Sequence, residues 1–226
     1  MRTFTQQLVF SSFFSAVATL GCVQQSPAVA GRAAFVSIHA TQSSEDEIEF
    51  GRSLVLNHDC SGCHGGASPA SKEWLAGMMH PKQEFLIGPC ADALPCWRTR
   101  ARNITPDNAT GLGRFTERQI FNALRYGLRP EDTPDVDITS GTPGVGNFPR
   151  HPRYLAPPMP WPAWRYMSDK ELTAIAAYLK RAVKPVSNKV VESEGPPDFW
   201  ASAYTVDQIG PYPPPAFPAA NEQVPR

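Results

Sequence analysis

Apolar residues recur at helical spacing in three stretches of the chain, and each stretch opens on the same polar signature. Ser44-Glu45-Asp46-Glu47 is a capping box in which the serine oxygen takes an orphan backbone donor and the glutamate reaches back. It introduces Ile48, Phe50, Gly51, Leu54 and Val55, and the spacing predicts a helix over about 45–57. Thr116-Glu117-Arg118-Gln119 opens a second helix with Ile120, Phe121 and Leu124 on one face and Gly127 as its left-handed stop. Ser168-Asp169-Lys170-Glu171 opens a third, whose Leu172, Ile175, Ala176 and Leu179 fall at i, i+3, i+4 and i+7 before Pro185 ends it. Three capped helices joined by irregular, proline-rich loops predict an all-α domain over 44–186.

Outside those stretches the pattern changes character. Arg2 precedes an apolar, small-residue run from Leu8 to Leu20 that is short for a bilayer span and reads as an export signal over 1–30. Residues 31–43 carry no helical period and read as a tether. From residue 187 to Arg226 no periodicity returns, and Pro196-Pro197 and Pro211-Tyr212-Pro213-Pro214-Pro215 favour an extended, polyproline-like tail. Phe199, Trp200, Tyr204 and Tyr212 could anchor that tail on the body or on a partner. The 24 prolines are about twice the usual share. Twenty-one basic residues balance twenty-one acidic ones, so no global field draws the chain to nucleic acid or an anionic membrane.

The five cysteines divide into Cys60 with Cys63, Cys90 with Cys96, and an unpaired Cys22. The exported chain is expected in the periplasm or otherwise outside the cytoplasm. Two processing routes remain open: cleavage after Ala28-Val29-Ala30, or lipidation of Cys22 after Leu20-Gly21, which would anchor the protein to a membrane. The chemistry lies in Cys60-Ser61-Gly62-Cys63-His64, the C-x-x-C-H pattern of c-type haem attachment. In that pattern the two thiols add across the haem vinyl groups, and the histidine is the proximal iron ligand. A zinc knuckle would need further ligands at compact spacing, and Cys90 and Cys96 stand too far apart for it. A thioredoxin-like dithiol would need a surrounding β-α-β pattern that is not present.

An iron with one axial histidine needs a sixth ligand for fast electron transfer, and methionine raises the potential. Met159 is the favoured candidate because Pro157, Pro158 and Pro160 stiffen its loop and reduce the entropy lost on holding the sulfur. Met78, Met79 and Met167 are alternatives with ordinary packing roles, and His58, His80 or His151 would give a two-histidine site of lower potential. The segment Trp74-Leu75-Ala76-Gly77 reads as part of an insertion.

With these motifs in place the chain resembles monohaem c-type cytochromes, namely the cytochrome c domains of bacterial respiratory chains and of dehydrogenase-associated cytochrome subunits. The resemblance rests on Arg102-Asn103-Ile104-Thr105-Pro106-Asp107, Thr110-Gly111-Leu112-Gly113, Ala123-Leu124-Arg125-Tyr126-Gly127, Pro158-Met159-Pro160-Trp161 and the Ser168-to-Leu179 helix, in that order. It implies a cytochrome c fold with three main helices around one covalently bound haem c, held by Cys60, Cys63, His64 and Met159, with His64 and Met159 on iron. It further implies that the N-terminal helix crosses the C-terminal one, where Gly51 would allow close approach. Gly88-Pro89 resembles the turn whose carbonyl takes the second ring proton of the proximal histidine, with an ordinary turn as the alternative. Arg98, Arg100 and Arg102 are candidate donors to haem propionates or else a solvated basic face. Glu131, Asp132, Asp135 and Asp137 form an acidic loop that could steer a basic partner.

The chain departs from the resemblance in long connections over 67–99 and 130–153 and in the tail. Cys90 and Cys96 are expected to form a disulfide in an oxidising compartment. The reading is a one-electron carrier between a redox protein donor and acceptor, not an enzyme, although it could be the cytochrome subunit of a dehydrogenase or oxidase. The rivals are a gas sensor and a peroxidase-like haem enzyme, each of which needs an open distal site.

Overall fold

A computed structural model of the chain describes residues 44–80, 83–88, 96–194 and 200–225. The export signal, Cys22, the tether, Cys90 and Phe199 lie outside them. Among the described residues, α1 covers 44–57, α2 Cys60–His64, β1 Phe85–Ile87, β2 Trp97–Thr99, α3 Glu117–Tyr126, α4 Trp161–Trp164, α5 Asp169–Arg181 and α6 Val206–Ile209. Pro130–Asp132 and Ala201–Tyr204 are 3-10 turns.

The three predicted helices are α1, α3 and α5. Both fully described caps have the expected chemistry: Thr116 Oγ1 accepts from Gln119 N, Ser168 Oγ accepts from Glu171 N, and the Gln119 and Glu171 side chains return the favour to the cap amides. Gly127 closes α3 at φ 66°. Helix α1 includes Ser44 itself, one residue earlier than the box predicts. Its crossing with α5 depends on Gly51, where a Cβ would stand 1.9 Å from Ala174 O and 2.9 Å from Tyr178 Cβ. The predicted stripe of α5 (Leu172, Ile175, Ala176, Leu179) is buried, and so are Ala174, Ala177 and Tyr178, so this helix runs through the core rather than along its surface. Leu54, Val55, Ile120 and Leu124 pack on it.

Three further features go beyond a three-helix reading. First, Trp74, Leu75 and Ala76 are core residues, 6%, 0% and 0% exposed, and the Trp74 indole donates to Tyr178 Oη at 3.1 Å. A segment read as an insertion is thus an inner wall. Second, β1 and β2 pair antiparallel, and a bridge between Arg98 and Glu194 adds the chain beyond α5 to the same ribbon. Alternate residues of an extended strand share a face, so Arg98, Arg100 and Arg102 point together and meet Glu84, Glu192 and Glu194. Third, the tail is neither uniformly extended nor loose. Val190 and Trp200 are 6% and 5% exposed, α6 forms within it, and the Trp200 ring packs edge-on against Trp97 at 5.2 Å. Its prolines rule out long helices but not a single turn between them.

Candidate functional site

Asp59 precedes the C-x-x-C-H turn and stands in the left-handed region at φ 49°, where its carboxylate accepts from Gly62 N at 3.2 Å. That cap starts α2 and places Cys60, Cys63 and His64 on one short turn. Cys60 and Cys63 are the free cysteines among the described residues. Burial pushes the Cys60 thiol up to about 11, helped by the Asp59 charge, and the same two causes raise Cys63. Such thiols stay protonated at neutral pH, the opposite of the activated thiolate of a dithiol redox motif.

His64 is buried, and its Nδ1 lies 2.6 Å from Arg102 O. A carbonyl only accepts, so Nδ1 carries the proton and Nε2 keeps a free lone pair. Burial lowers the imidazole's proton affinity and the hydrogen bond to Arg102 opposes it, so the ring is held neutral. The carbonyl partner is Arg102 rather than the expected Gly88-Pro89 turn; Gly88 is exposed, and Pro89 lies outside the described residues.

Main-chain bonds fix that carbonyl. Gly77 N donates to His64 O at 2.6 Å, Leu75 N to Gly65 O at 3.0 Å, Met78 N to Ala101 O at 3.0 Å and Ile104 N to Leu75 O at 3.0 Å. Residues 74–78 therefore lace the His64 turn to the Arg102 segment. The Asn103-to-Gly111 motif locks the lace from behind. Asn103 Oδ1 accepts from Thr105 N and Oγ1, its amide donates to Thr110 Oγ1 and Val186 O, and Asp107 Oδ1 accepts from Thr110 N at 2.7 Å. Gly77, at φ 83°, has no room for a Cβ, which would come within 2.7 Å of Asn103 N.

Met159 lies on a different support. Its loop is pinned at entry by Leu155 N donating to Gly127 O at 2.6 Å, and at exit by Trp161, 2% exposed. The Trp161 indole covers Gly127 so closely that a Cβ there would come within 2.1 Å of it, and it stacks on Tyr154 at 5.8 Å. Gly127 thus serves both as helix stop and as floor of the loop. Met159 is half-buried and packs against the same core cluster as Cys60. The other candidates sit elsewhere. Met78 and Met79 follow directly on Gly77, beside His64's own backbone, and Met167 packs on the core with its carbonyl bound by Arg125. His58 is exposed against Trp164, and His80 and His151 are exposed.

Two sets of charges are already engaged. Arg98 binds Glu84, Arg100 binds Glu84 and Glu194, and Arg102 binds Glu192 at 2.6 Å, so these arginines brace the ribbon rather than standing free for propionates. The acidic loop is likewise paired: Glu131 with Arg114, Asp132 with Arg153, Asp137 with Arg118, and Asp135 accepting from Thr116. Among the described residues no group of three His, Cys, Asp or Glu side chains is placed to hold a metal ion.

The donor set fits a covalently bound haem: two free thiols and a neutral histidine on one turn, with the ring's outer nitrogen already oriented by a carbonyl. Known proteins point the same way. The chain is similar to the fructose dehydrogenase cytochrome subunit of Gluconobacter japonicus, 27% identical over 139 residues, which are 62% of this chain and 22% of that one. It is also similar to the gluconate 2-dehydrogenase cytochrome c subunit of Pantoea cypripedii, 25% identical over 171 residues covering 74% of this chain and 30% of the relative. The cytochrome c subunit of the quinone-dependent alcohol dehydrogenase of Gluconobacter oxydans (strain 621H) is 25% identical over 166 residues, 74% of this chain and 27% of that subunit. These similarities support a cytochrome c family. The chain spans between about a fifth and a third of the length of these relatives. No protein-family model matches it. No helix among the described residues is long and apolar enough to cross a membrane.

Asp59 and the Arg102 carbonyl are positions of the candidate site that the sequence pattern did not single out. Asp59 was readable as an Asx cap one residue before the motif. The carbonyl carries no side-chain signal at all.

Proposed function

We propose that the chain is a one-electron carrier with a cytochrome c fold that would hold one haem c through thioethers to Cys60 and Cys63, with His64 Nε2 and the Met159 thioether as the donors to its iron. The observation that carries this reading is the buried, neutral His64, its tautomer set by Arg102 O at 2.6 Å, on the same turn as two free thiols. When bound, the haem supplies the one-electron couple. The chain's own part is to attach it, to keep the imidazole neutral and oriented, and to close the sixth position with a sulfur that favours the ferrous state. Folding the Met159 loop in advance means that little rearranges when an electron arrives. The dehydrogenase relatives support a redox partner of that class as donor, and a second redox protein would take the electron onward.

Export, removal or lipidation of the segment around Cys22, and a Cys90–Cys96 disulfide belong to the same reading, because haem attachment and disulfides both suit an oxidising compartment. One experiment tests these features together. The mass spectrum of the denatured mature protein should show one added haem, a bridged Cys90–Cys96 pair, and either a start at Gly31 or an acylated Cys22. Covalent haem surviving in a Cys60→Ser, Cys63→Ser double variant would sink the central claim.

A further inference from the structure

The loop that carries Met159 is poor in main-chain donors. Pro157, Pro158, Pro160 and Pro162 have no N–H, and Met159 N reaches only back to Ala156 O at 3.1 Å. A segment of this kind cannot be laced by its own backbone and must be held by side chains around it.

The C-terminal segment supplies that hold. Tyr204 sets its ring edge against Trp161 at 5.0 Å and against Tyr154 at 5.6 Å, touching the loop's entry and exit at once. Further along, Tyr166 Oη donates to Ile209 O at 2.8 Å and Arg165 donates to Gly210 O at 3.2 Å. Gly210 permits this closeness, since at φ 79° its Cβ would stand 2.8 Å from Tyr166 Oη. Tyr212 then covers two guanidinium groups, Arg125 at 4.5 Å and Arg165 at 5.5 Å. Arg125 is itself buried and binds Arg165 O, Met167 O and Asp169, which ties the end of the loop to α3 and α5.

We propose that residues 200–212 are a strap that positions the Met159 loop, with Tyr204 and Tyr212 as its fastening side chains, so that the tail governs how firmly the sixth ligand is held. The inference rests on the reading of Met159 as that ligand. Loss of each aromatic contact should shift the balance between held and released thioether by about three- to tenfold.

The test uses the full-length holoprotein. Tyr204→Ala combined with Tyr212→Ala should weaken the far-red absorption of the ferric sulfur–iron bond. It should also speed carbon monoxide binding to ferrous protein by roughly ten- to a hundredfold, the product of the two contacts. Tyr204→Phe with Tyr212→Phe keeps both rings and should restore values close to wild type. Met159→Ala, measured beside them, separates the two ideas. If it leaves the far-red band in place, Met159 is not the ligand and the strap's role falls with it. If it abolishes the band while the alanine pair keeps a wild-type band and carbon monoxide rate, the strap is overturned and the ligand reading stands. A measurement on wild type covers the case in which the alanine pair does not fold. On warming, amide exchange over 206–212 should open together with exchange over 163–167 and with loss of the band. Free exchange of the strap while the band is intact also overturns the proposal.

Discussion

His64 and Met159 are held by opposite means. The His64 turn is fastened by main-chain hydrogen bonds from Gly77, Leu75 and Ile104, and its ring by the Arg102 carbonyl. The Met159 loop, with four prolines in seven residues, is fastened by the rings of Tyr154, Trp161 and Tyr204 and by the buried Arg125 behind it. A support made of backbone is indifferent to most side-chain changes but intolerant of any that force the chains apart. One made of side chains has the reverse sensitivities, and it can be adjusted by a distant segment such as the tail.

The sharpest way to break this contrast is at Gly77. Valine there must adopt φ 83° and bring its Cβ within 2.7 Å of Asn103 N and of Val190 Cγ2. Left-handed strain and overpacking together should cost about 3–5 kcal/mol. Urea unfolding of Gly77→Val should therefore show the loss of a large fraction of the roughly 5–15 kcal/mol that stabilises a domain. A loss under about 1 kcal/mol would mean that the lace does not carry the His64 side.

On the other side the largest single effect should come from Arg125→Met. The variant keeps the apolar stem but leaves Arg165 O and Met167 O without their buried donor. Two unmet acceptors of this kind cost about 2–3 kcal/mol, while Asp169, largely exposed, can turn to water. Chemical denaturation measures the loss. The same variant should make the far-red band more easily lost on heating, and Gly77→Val should not do so before global unfolding.

What the sequence made legible follows the same division. Capping boxes, the α5 stripe and the glycine stops are local patterns, and α1, α3 and α5 stand where those patterns put them. Gly51 was readable as a crossing point because a glycine inside an amphipathic stretch needs a reason. The C-x-x-C-H pattern stands on one short turn, α2, as its spacing suggests. By contrast, Trp74-Leu75-Ala76-Gly77 has no period, so nothing local distinguishes an inner wall from an insertion. The arginine and acidic clusters looked available because charge counts do not reveal pairing partners some 15 to 95 residues away. The tail misled for a related reason. Its prolines correctly forbid long helices, but its rings find partners on α4 and β2, and such contacts between distant segments leave no mark on either segment alone.

The smallest expected effect is also the most discriminating, because Arg102 belongs to both kinds of support. Its carbonyl orients His64, while its guanidinium pairs at the surface with Glu192, whose side chain is 77% exposed. Arg102→Ala retains the carbonyl and deletes the exposed pair together with a long guanidinium hydrogen bond to Val190 O at 3.4 Å, so at neutral pH it should cost about 1 kcal/mol or less. The pH dependence gives the sign. The Arg102 hydrogen bond holds the Glu192 carboxyl below its ordinary value, against a smaller opposing effect of burial. A carboxyl depressed in the folded state adds stability above its unfolded pKa of about 4.3 and loses that contribution as pH falls through the folded value. Wild type and Arg102→Ala should therefore differ slightly at pH 7 and draw together as pH falls below the unfolded value of about 4.3, with the far-red band and potential of the holoprotein unchanged throughout. If Arg102→Ala instead approached the cost of Gly77→Val, or altered the haem spectrum, the side chain and not the carbonyl would be the support of His64. The contrast between a backbone-held His64 and a side-chain-held Met159 would then be lost.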